Sequence, residues 1–212
     1  MNNNKYYEYK DYEEYITSQI KRAARTKGMT KRPSCERRRG WIFERMVELG
    51  VEGESILCLG CRDEAEITFF ENKGYKEVDG IDLYAKGKVI EADMSKLLEN
   101  KYFKNKKYDI IFGMEALEHC LDFENLLKAI NKMCTKYLVI MGPVLGSPTI
   151  PVPDNWDCNF QPFMFSENIK NKKIHDDLLL DTFKEFEIIV NEVHKRGRRL
   201  FFVLKRKNIE KI

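Results

Sequence analysis

The sequence lacks any long hydrophobic run. Its longest apolar stretch, around LVIMGPVL (138–145), is much too short to cross a lipid bilayer. The N-terminal segment has no apolar core of the kind found in secretory signals, and only six cysteines occur among 212 residues. We therefore expect a cytoplasmic protein with reduced thiols, which excludes a membrane-spanning protein and a disulfide-built scaffold.

Several catalytic and metal-binding motifs are also missing. No Gly-x-Ser-x-Gly string supports a hydrolase. Cys58 and Cys61 form a Cys-x-x-Cys pair, but there is no second pair, and side chains at the end of a buried strand point to opposite faces, so zinc is not expected. The Tyr102-x-x-x-Lys106 spacing mimics short-chain reductases but falls at the wrong place relative to the predicted strands.

Charge is unevenly distributed along the chain, although the net charge is only +3. Residues 21–45 carry ten Lys and Arg against two Glu, and residues 195–212 carry eight against one. Such basic segments attract anionic partners such as RNA, or they form ordinary solvated faces. The sequence leaves both interpretations open.

Short apolar segments alternate with helical patterns through the middle of the chain. Continuous apolar runs are typical of buried parallel strands, and the alternation predicts a doubly wound α/β sheet. The predicted strands lie at 55–59, 76–82, 89–93, 108–113 and 136–142. Apolar segments at 186–193 and 199–206 flank a turn with Gly197, which predicts a terminal antiparallel β-hairpin.

The first fifty residues have a different character. Amphipathic patterns predict helices at 10–27 and 36–49, so we expect residues 1–50 to form a helical extension or lid. Residues 51–212 then form the main domain, with one further helix near 174–183.

Ligands of open α/β sheets bind at the carboxyl ends of the strands. The first predicted strand ends at Gly60, which allows a tight bend beneath a ligand, and the next helix begins with N–H groups that lack helical partners. Asp82 ends the second strand and Asp93 the third. A carboxylate at Asp82 accepts hydrogen bonds from both ribose hydroxyls, and Asp93 lies where an adenine edge would be met. These positions predict a nucleoside-binding crevice.

Four segments resemble class I S-adenosylmethionine (SAM) methyltransferases. ILCLGCRDEAEI is similar to the first motif of this superfamily, GIDLY to the end of its second strand and EADM to the end of its third. YDIIFGMEALEHCLDFENLLKAINKM resembles the fourth strand and following helix of the small-molecule branch called type 11. The resemblance spans roughly Ser55–Lys207 and implies a Rossmann-like, three-layer α/β/α domain with a seven-stranded sheet in the order 3-2-1-4-5-7-6.

The resemblance also implies SAM as the cofactor and assigns its site residue by residue. The assigned residues follow the strand ends: Gly60, Cys61 and Arg62 beside the methionine portion, Asp82, Leu83, Asp93 and Met94 around the ribose and adenine, and Gly113, Met114 and Glu115 near the sulfonium.

The first motif departs from the usual pattern of the superfamily. Cys58 replaces the acid expected in the first strand, and Arg62 and Glu64 occupy positions usually taken by small residues, which leaves Gly60 as the only glycine of the turn. The motif is similar to the variant LCLGAR-x-G-x-E of some divergent members, in which case Glu66 helps to position SAM. An altered or lost cofactor site is the alternative.

Methyl transfer from a sulfonium needs mainly alignment of the acceptor, and needs a base only for a poorly acidic hydroxyl or a protonated amine. His119 is the candidate base, and Glu115 is a second candidate catalytic residue. No metal is expected. As an alternative, Glu115, Glu118 and His119 on one helix face would ligate Mg²⁺ or Zn²⁺, because Glu-x-x-Glu-His resembles metal-using quinone and small-RNA O-methyltransferases.

The leading hypothesis is a SAM-dependent methyltransferase acting on a small-molecule or glycan-type acceptor, at oxygen rather than nitrogen. Tyr12, Tyr15 and Trp41 are expected near that acceptor. The basic segments motivate an RNA 2′-O-methyltransferase as an alternative, and the unusual first motif motivates a catalytically inactive subunit that keeps the fold. No membrane partner is expected.

Overall fold

Strands and helices alternate through the computed structural model, which describes residues 10–25, 31–143, 172–194 and 199–207. The strands are β1 (Ser55–Leu59), β2 (Glu77–Asp82), β3 (Ile90–Glu91), β4 (Tyr108–Met114), β5 (Cys134–Pro143), β6 (Phe186–His194) and β7 (Arg199–Arg206). The α-helices are α1 (Tyr12–Arg25), α2 (Pro33–Glu48), α3 (Ala65–Asn72), α4 (Phe123–Met133) and α5 (Lys172–Thr182).

The predicted strands and helices are present, and their ends differ by a few residues. The second helix begins earlier than predicted because Pro33 occupies its first turn, where the fixed φ of proline suits a helix and its missing N–H costs nothing. The turn with Gly197 and parts of both basic segments lie outside the described residues.

The seven strands form one sheet in the order β3-β2-β1-β4-β5-β7-β6. The first five strands pair in parallel, whereas β7 runs antiparallel to both β5 and β6. This order confirms the predicted doubly wound sheet closed by an antiparallel C-terminal hairpin.

Apolar cores lie on both faces of the sheet. Alternate residues of β1 divide between them: Leu57 and Leu59 face one core, and Ile56 and Cys58 face the other. Helices α4 and α5 cover the first core, through residues that include Leu126, Ile130 and Leu179. Helices α2 and α3 cover the second, through Ile42, Met46 and Phe70. The predicted three-layer α/β/α architecture is therefore confirmed, and α2 lies with α3 in one of its helical layers.

The register of the sheet brings distant residues to one edge. Leu59 at the end of β1 pairs with Ile81 of β2 and Gly113 of β4, so the segments that follow these strands lie side by side. On the far side of β5, Pro143 pairs with Arg199, so the start of the antiparallel β7 meets the same edge. A ligand site is expected at this edge of such a sheet.

None of the helices in the described ranges has the length and apolarity that crossing a bilayer requires. The five cysteines within those ranges are free thiols, four of them buried.

Candidate functional site

A cleft of about 540 Å³ opens at the carboxyl edge of the sheet. One side, which we call the β1–β2 side, is lined by residues at or just after the ends of β1, β2 and β3: Gly60, Arg62, Ile81, Asp82, Leu83, Ala92 and Met94. The other side, which we call the β4–α1 side, is lined by Glu115, Ala116 and His119 after β4 and by Tyr15, Gln19, Arg22 and Ala23 of α1. Helix α1 therefore supplies part of the cleft wall.

Gly60 makes the tight bend that the sequence predicts. Its φ is +69°, a left-handed conformation that glycine adopts without strain. A Cβ placed on Gly60 would lie 2.6 Å from the Cβ of Ala116, so only glycine fits between the two sides of the cleft. The neighbouring N–H of Cys61 donates to the carbonyl of Ile81 at 3.0 Å, which ties the bend to the end of β2.

The Asp82 carboxylate is held by the main chain at the border of the cleft. The N–H of Arg62 donates to Oδ2 at 3.0 Å, and the N–H of Tyr84 donates to Oδ1 at 2.9 Å. Burial raises the pKa of Asp82, and these backbone donors oppose the shift. Because each carboxylate oxygen accepts more than one hydrogen bond, both retain capacity for a pair of ligand hydroxyls.

Asp93 is already engaged by protein groups. It caps the short 3₁₀ helix Met94–Lys96 by accepting from the N–H of Ser95 at 2.8 Å and from its hydroxyl at 2.7 Å. The hydroxyl of Tyr12 on α1 also donates to Asp93 at 2.7 Å, and the ammonium of Lys96 lies 3.5 Å from the centre of the Tyr12 ring. Of the two residues predicted to flank an adenine, Met94 lines the cleft, whereas the Asp93 side chain binds α1 through the Tyr12 hydroxyl.

The unusual residues of the first motif have separate structural roles. Arg62 lines the cleft and has a φ of +57°, so a non-glycine residue adopts the left-handed conformation where the superfamily usually has a small residue. The Cys61 side chain points into the core instead of the cleft, because its thiol donates to the carbonyl of Cys58 at 3.2 Å. A Cβ on Gly80 would lie 2.6 Å from the Cys61 sulfur, so Gly80 makes room for it. Burial raises the pKa of the Cys61 thiol well above its usual range, which makes it unreactive.

Glu66 lies behind the bend, where it pairs with Arg39 of α2. The Arg39 guanidinium lies 3.2 Å from Oε1 of Glu66, and both side chains are buried. Burial raises the pKa of Glu66 to about 7, although Arg39 pulls it down. Glu66 is not among the cleft-lining residues, and its ion pair with Arg39 joins α3 to α2.

Glu115 begins the β4–α1 side in a strained conformation. Its φ is +56°, and its carboxylate pairs with Arg38 of α2 at 2.9 Å and with Arg199 of β7. The expectation that Glu115, Glu118 and His119 share a helix face is wrong, because Glu115 precedes the short 3₁₀ helix Leu117–His119. Within the described ranges, no three His, Cys, Asp or Glu side chains are grouped so as to hold a metal ion.

His119 lies in the cleft wall with contacts from both neighbouring elements. Arg22 of α1 places Nη1 2.8 Å from Nδ1 of the imidazole, and the Tyr15 hydroxyl donates to the His119 carbonyl at 3.2 Å. Oε1 of the buried Glu118 lies 3.8 Å from Nε2. The candidate base is thus present at the cleft and held by groups from α1.

Three other predicted residues have different positions. Gly113 packs against Leu117, whose Cδ1 would lie 2.5 Å from an added Cβ, and Met114 packs against the core on the α2 and α3 face. Neither residue lines the cleft, whereas Leu83 does. Trp41 was expected near the acceptor, but its ring packs on His194 and Phe201 at centroid distances of 4.1 and 5.1 Å.

Arginines from the basic segments contact the protein itself. The sequence did not assign roles to Arg22, Arg38, Arg39 or Arg199, each of which contacts a residue at or behind the cleft. Arg45 likewise pairs with Glu192 at 3.2 Å. The only sequence signal was the local excess of basic residues, which does not reveal their partners.

Comparisons with known proteins give structural matches alone. No family model matches the chain, and no curated protein matches it. The structure is similar to magnesium protoporphyrin IX methyltransferase (ChlM) from Synechocystis PCC 6803, solved with bound S-adenosylhomocysteine (SAH), with a TM-score of 0.53 and 12% identity over 95% of this chain and 90% of that one. It is also similar to the N-methyltransferase NodS from Bradyrhizobium japonicum WM9 in complex with SAH, with a TM-score of 0.53 and 13% identity over 92% and 99% of the two chains.

A third similar structure belongs to the complex between the Haloferax volcanii Trm112 methyltransferase activator and a methyltransferase. The TM-score is 0.56 and the identity 13%, over 93% of this chain and 100% of that one. Together with the strand order, these similarities show that the chain has the class I SAM-dependent methyltransferase fold.

Proposed function

We propose that this protein is a SAM-dependent methyltransferase that methylates an oxygen of a small-molecule or glycan-type acceptor. The observation that carries the proposal is the Asp82 carboxylate, fixed by two main-chain N–H groups beside the bend at Gly60. A carboxylate in that position suits the two vicinal hydroxyls of a nucleoside sugar.

The residues of the β1–β2 side support the proposal that SAM binds there. Gly60 lets the chain bend closely past Ala116, Asp82 would hold the ribose, and Leu83, Ala92 and Met94 would contact the adenine. Arg62 lines the same side and would lie beside the methionine portion. When bound, SAM supplies a methyl group on a positively charged sulfur, a donor that needs little activation by the protein.

The β4–α1 side suits an acceptor of limited size. Helix α1 lines this side with Tyr15, Gln19 and Arg22, and two of these residues, Tyr15 and Arg22, contact His119. An imidazole at this place suits a hydroxyl acceptor, whose proton must be removed during transfer. Arginines of the basic segments contact Glu66, Glu115, Glu192 and His119, which favours a small acceptor over an RNA backbone.

Calorimetry with SAH tests the cofactor proposal. We expect Asp82→Ala to weaken SAH binding by about 1–3 kcal/mol, because two hydrogen bonds to a charged acceptor are lost. The control is Glu77→Ala, at the opposite end of the same strand, where an exposed carboxylate pairs with Lys106. Equal SAH affinity in the two variants would contradict the placement of the ribose at Asp82.

The same titrations separate the two alternatives left open by the sequence. A catalytically inactive subunit without a cofactor site predicts no SAH binding by the intact protein. An RNA methyltransferase predicts RNA binding that weakens steeply with salt, because counterions are released from phosphates. The proposed small-acceptor enzyme predicts SAH binding and no RNA binding at low salt.

A further inference from the structure

Charged side chains lie on two opposite sides of the His119 imidazole ring, one within hydrogen-bond distance and the other farther away. Nδ1 lies 2.8 Å from Nη1 of Arg22, and Nε2 lies 3.8 Å from Oε1 of Glu118. A guanidinium donates hydrogen bonds and accepts none, so Nδ1 must be the nitrogen that carries the lone pair. The proton of the neutral ring is therefore on Nε2, the side of Glu118.

Glu118 is well placed to support a charged imidazole. Its side chain is 1% exposed, and its carboxylate lies on the side of His119 that does not face α1. A carboxylate behind an imidazole fixes the tautomer and stabilises the imidazolium when the opposite nitrogen takes up a proton. The hydrogen bonds of such pairs are often long before a substrate binds.

Arg22 lies on the opposite side of the His119 ring, at Nδ1. It belongs to α1 and lines the cleft together with Tyr15 and Gln19. The hydroxyl of Tyr15 also donates to the His119 carbonyl, so α1 is fastened to this residue by two contacts. The other charged groups that line the cleft are Arg62, Asp82 and Glu115.

We propose that Arg22 and Glu118 are positioning residues for His119: Glu118 directs Nε2–H away from the cleft, and Arg22 covers Nδ1 until an acceptor hydroxyl takes its place. This inference rests on the proposed methyltransferase function for its chemistry. It adds a reason for the presence of α1, since the helix withholds the base from water while no acceptor is bound.

In this arrangement, methyl transfer needs no reactant other than SAM and the acceptor. The acceptor O–H gives its proton to Nδ1 of His119 as the oxygen forms a bond to the methyl carbon. SAM, when bound, would supply the methyl group, and its sulfur would keep the electron pair of the broken carbon–sulfur bond as the neutral thioether of SAH. His119 leaves the step as an imidazolium between Glu118 and the product, and it returns the proton to water when the product departs.

The arrangement is tested by NMR titration of His119 in the full chain, with and without saturating SAH. The chain has three histidines, and His119→Gln identifies the signal. We expect Arg22→Gln to raise the pKa of His119 by about one unit, because a nearby positive charge is removed. Arg22→Lys should keep the pKa close to that of the unmodified protein, and Arg45→Gln should leave it unchanged, because Arg45 pairs with Glu48 and Glu192.

The second part of the NMR experiment uses the variant Glu118→Gln. Removing the carboxylate should lower the pKa of His119 by about one unit, and the ring nitrogens should report the Nε2–H tautomer in the unmodified protein. If neither Arg22→Gln nor Glu118→Gln moves the pKa more than Arg45→Gln does, or if the proton lies on Nδ1, the proposal is wrong. Absence of SAH binding would overturn the proposed function, whereas the titration without SAH would still decide the placement of Arg22 and Glu118.

Discussion

The two sides of the cleft are built in different ways. On the β1–β2 side, Asp82 and the bend at Gly60 are fixed by main-chain hydrogen bonds over short distances. On the β4–α1 side, Glu115 and His119 are fixed by arginine side chains from α1, α2 and β7, which are remote in sequence. Main-chain hydrogen bonds persist when a side chain is replaced, whereas the ion pairs and hydrogen bonds of arginine side chains are lost when the arginine is replaced.

This difference predicts that side chains of the first motif can change while the crevice persists. The main-chain N–H of Arg62 donates to Asp82, and this contact does not depend on the Arg62 side chain. The β4–α1 side is expected to determine the acceptor, because its side chains can be exchanged without altering the backbone of the sheet.

Gly60→Ala is expected to have the largest effect, and it tests how strictly the β1–β2 side depends on its backbone. The alanine Cβ would meet Ala116 in addition to the strain of a positive φ, so we expect a loss of roughly 2–4 kcal/mol in the free energy of unfolding and loss of SAH binding. The control is Gly50→Ala, because Gly50 has a φ of +66° and no atom within 4 Å of the added Cβ.

Thermal or urea denaturation measures both variants. Gly50→Ala should lose only about 1 kcal/mol, the cost of the backbone conformation alone. If the two variants lost the same stability, the close approach of Gly60 and Ala116 would not constrain the site.

The Glu66 carboxyl is expected to have an intermediate effect on the free energy of unfolding, and this effect depends on pH. Its folded-state pKa of about 7 lies above the ordinary value of 4.5, so its contribution to stability is complete below pH 4.5 and is lost as the pH rises through 7. We expect this residue to lower the free energy of unfolding by about 3 kcal/mol between those pH values. Glu66→Gln should flatten the profile in urea denaturation at several pH values.

The matched control for that profile is Glu71→Gln. Glu71 lies on the same helix, and its exposed carboxylate pairs with Lys88 at 2.6 Å. The Glu71→Gln variant should have the same slope of stability against pH as the unmodified protein. A flat profile in the unmodified protein would contradict the interpretation of Glu66 as a buried carboxyl behind the bend.

Substitutions of Arg62 are expected to have the smallest effect on stability. They separate the contribution of the backbone conformation from that of the side chain. Arg62→Gly and Arg62→Ala both remove the side chain, but only alanine keeps the strain of a φ near +57°. We therefore expect the glycine variant to be more stable than the alanine variant by about 1 kcal/mol in urea denaturation. Equal stabilities would mean that the left-handed conformation carries no cost at this position.

The same difference between the two sides decided what the sequence could predict. Gly60 and Asp82 follow apolar strands, so periodicity alone located them, and the strand order followed from the resemblance to a known fold. The pairs Arg38–Glu115 and Arg39–Glu66 join residues far apart in the chain, and no local pattern indicates such partners. The direction of the Cys61 side chain could not be predicted either, because a strand end allows it to point either way, and the space for its sulfur is provided by Gly80 on a neighbouring strand.

The most direct test of the central claim is a crystal structure of the protein with SAH bound. The account predicts the ribose hydroxyls on the two Asp82 carboxylate oxygens, the sugar next to Gly60, and the sulfur facing His119 across the cleft. A nucleoside bound elsewhere, or one whose ribose makes no contact with Asp82, would contradict it.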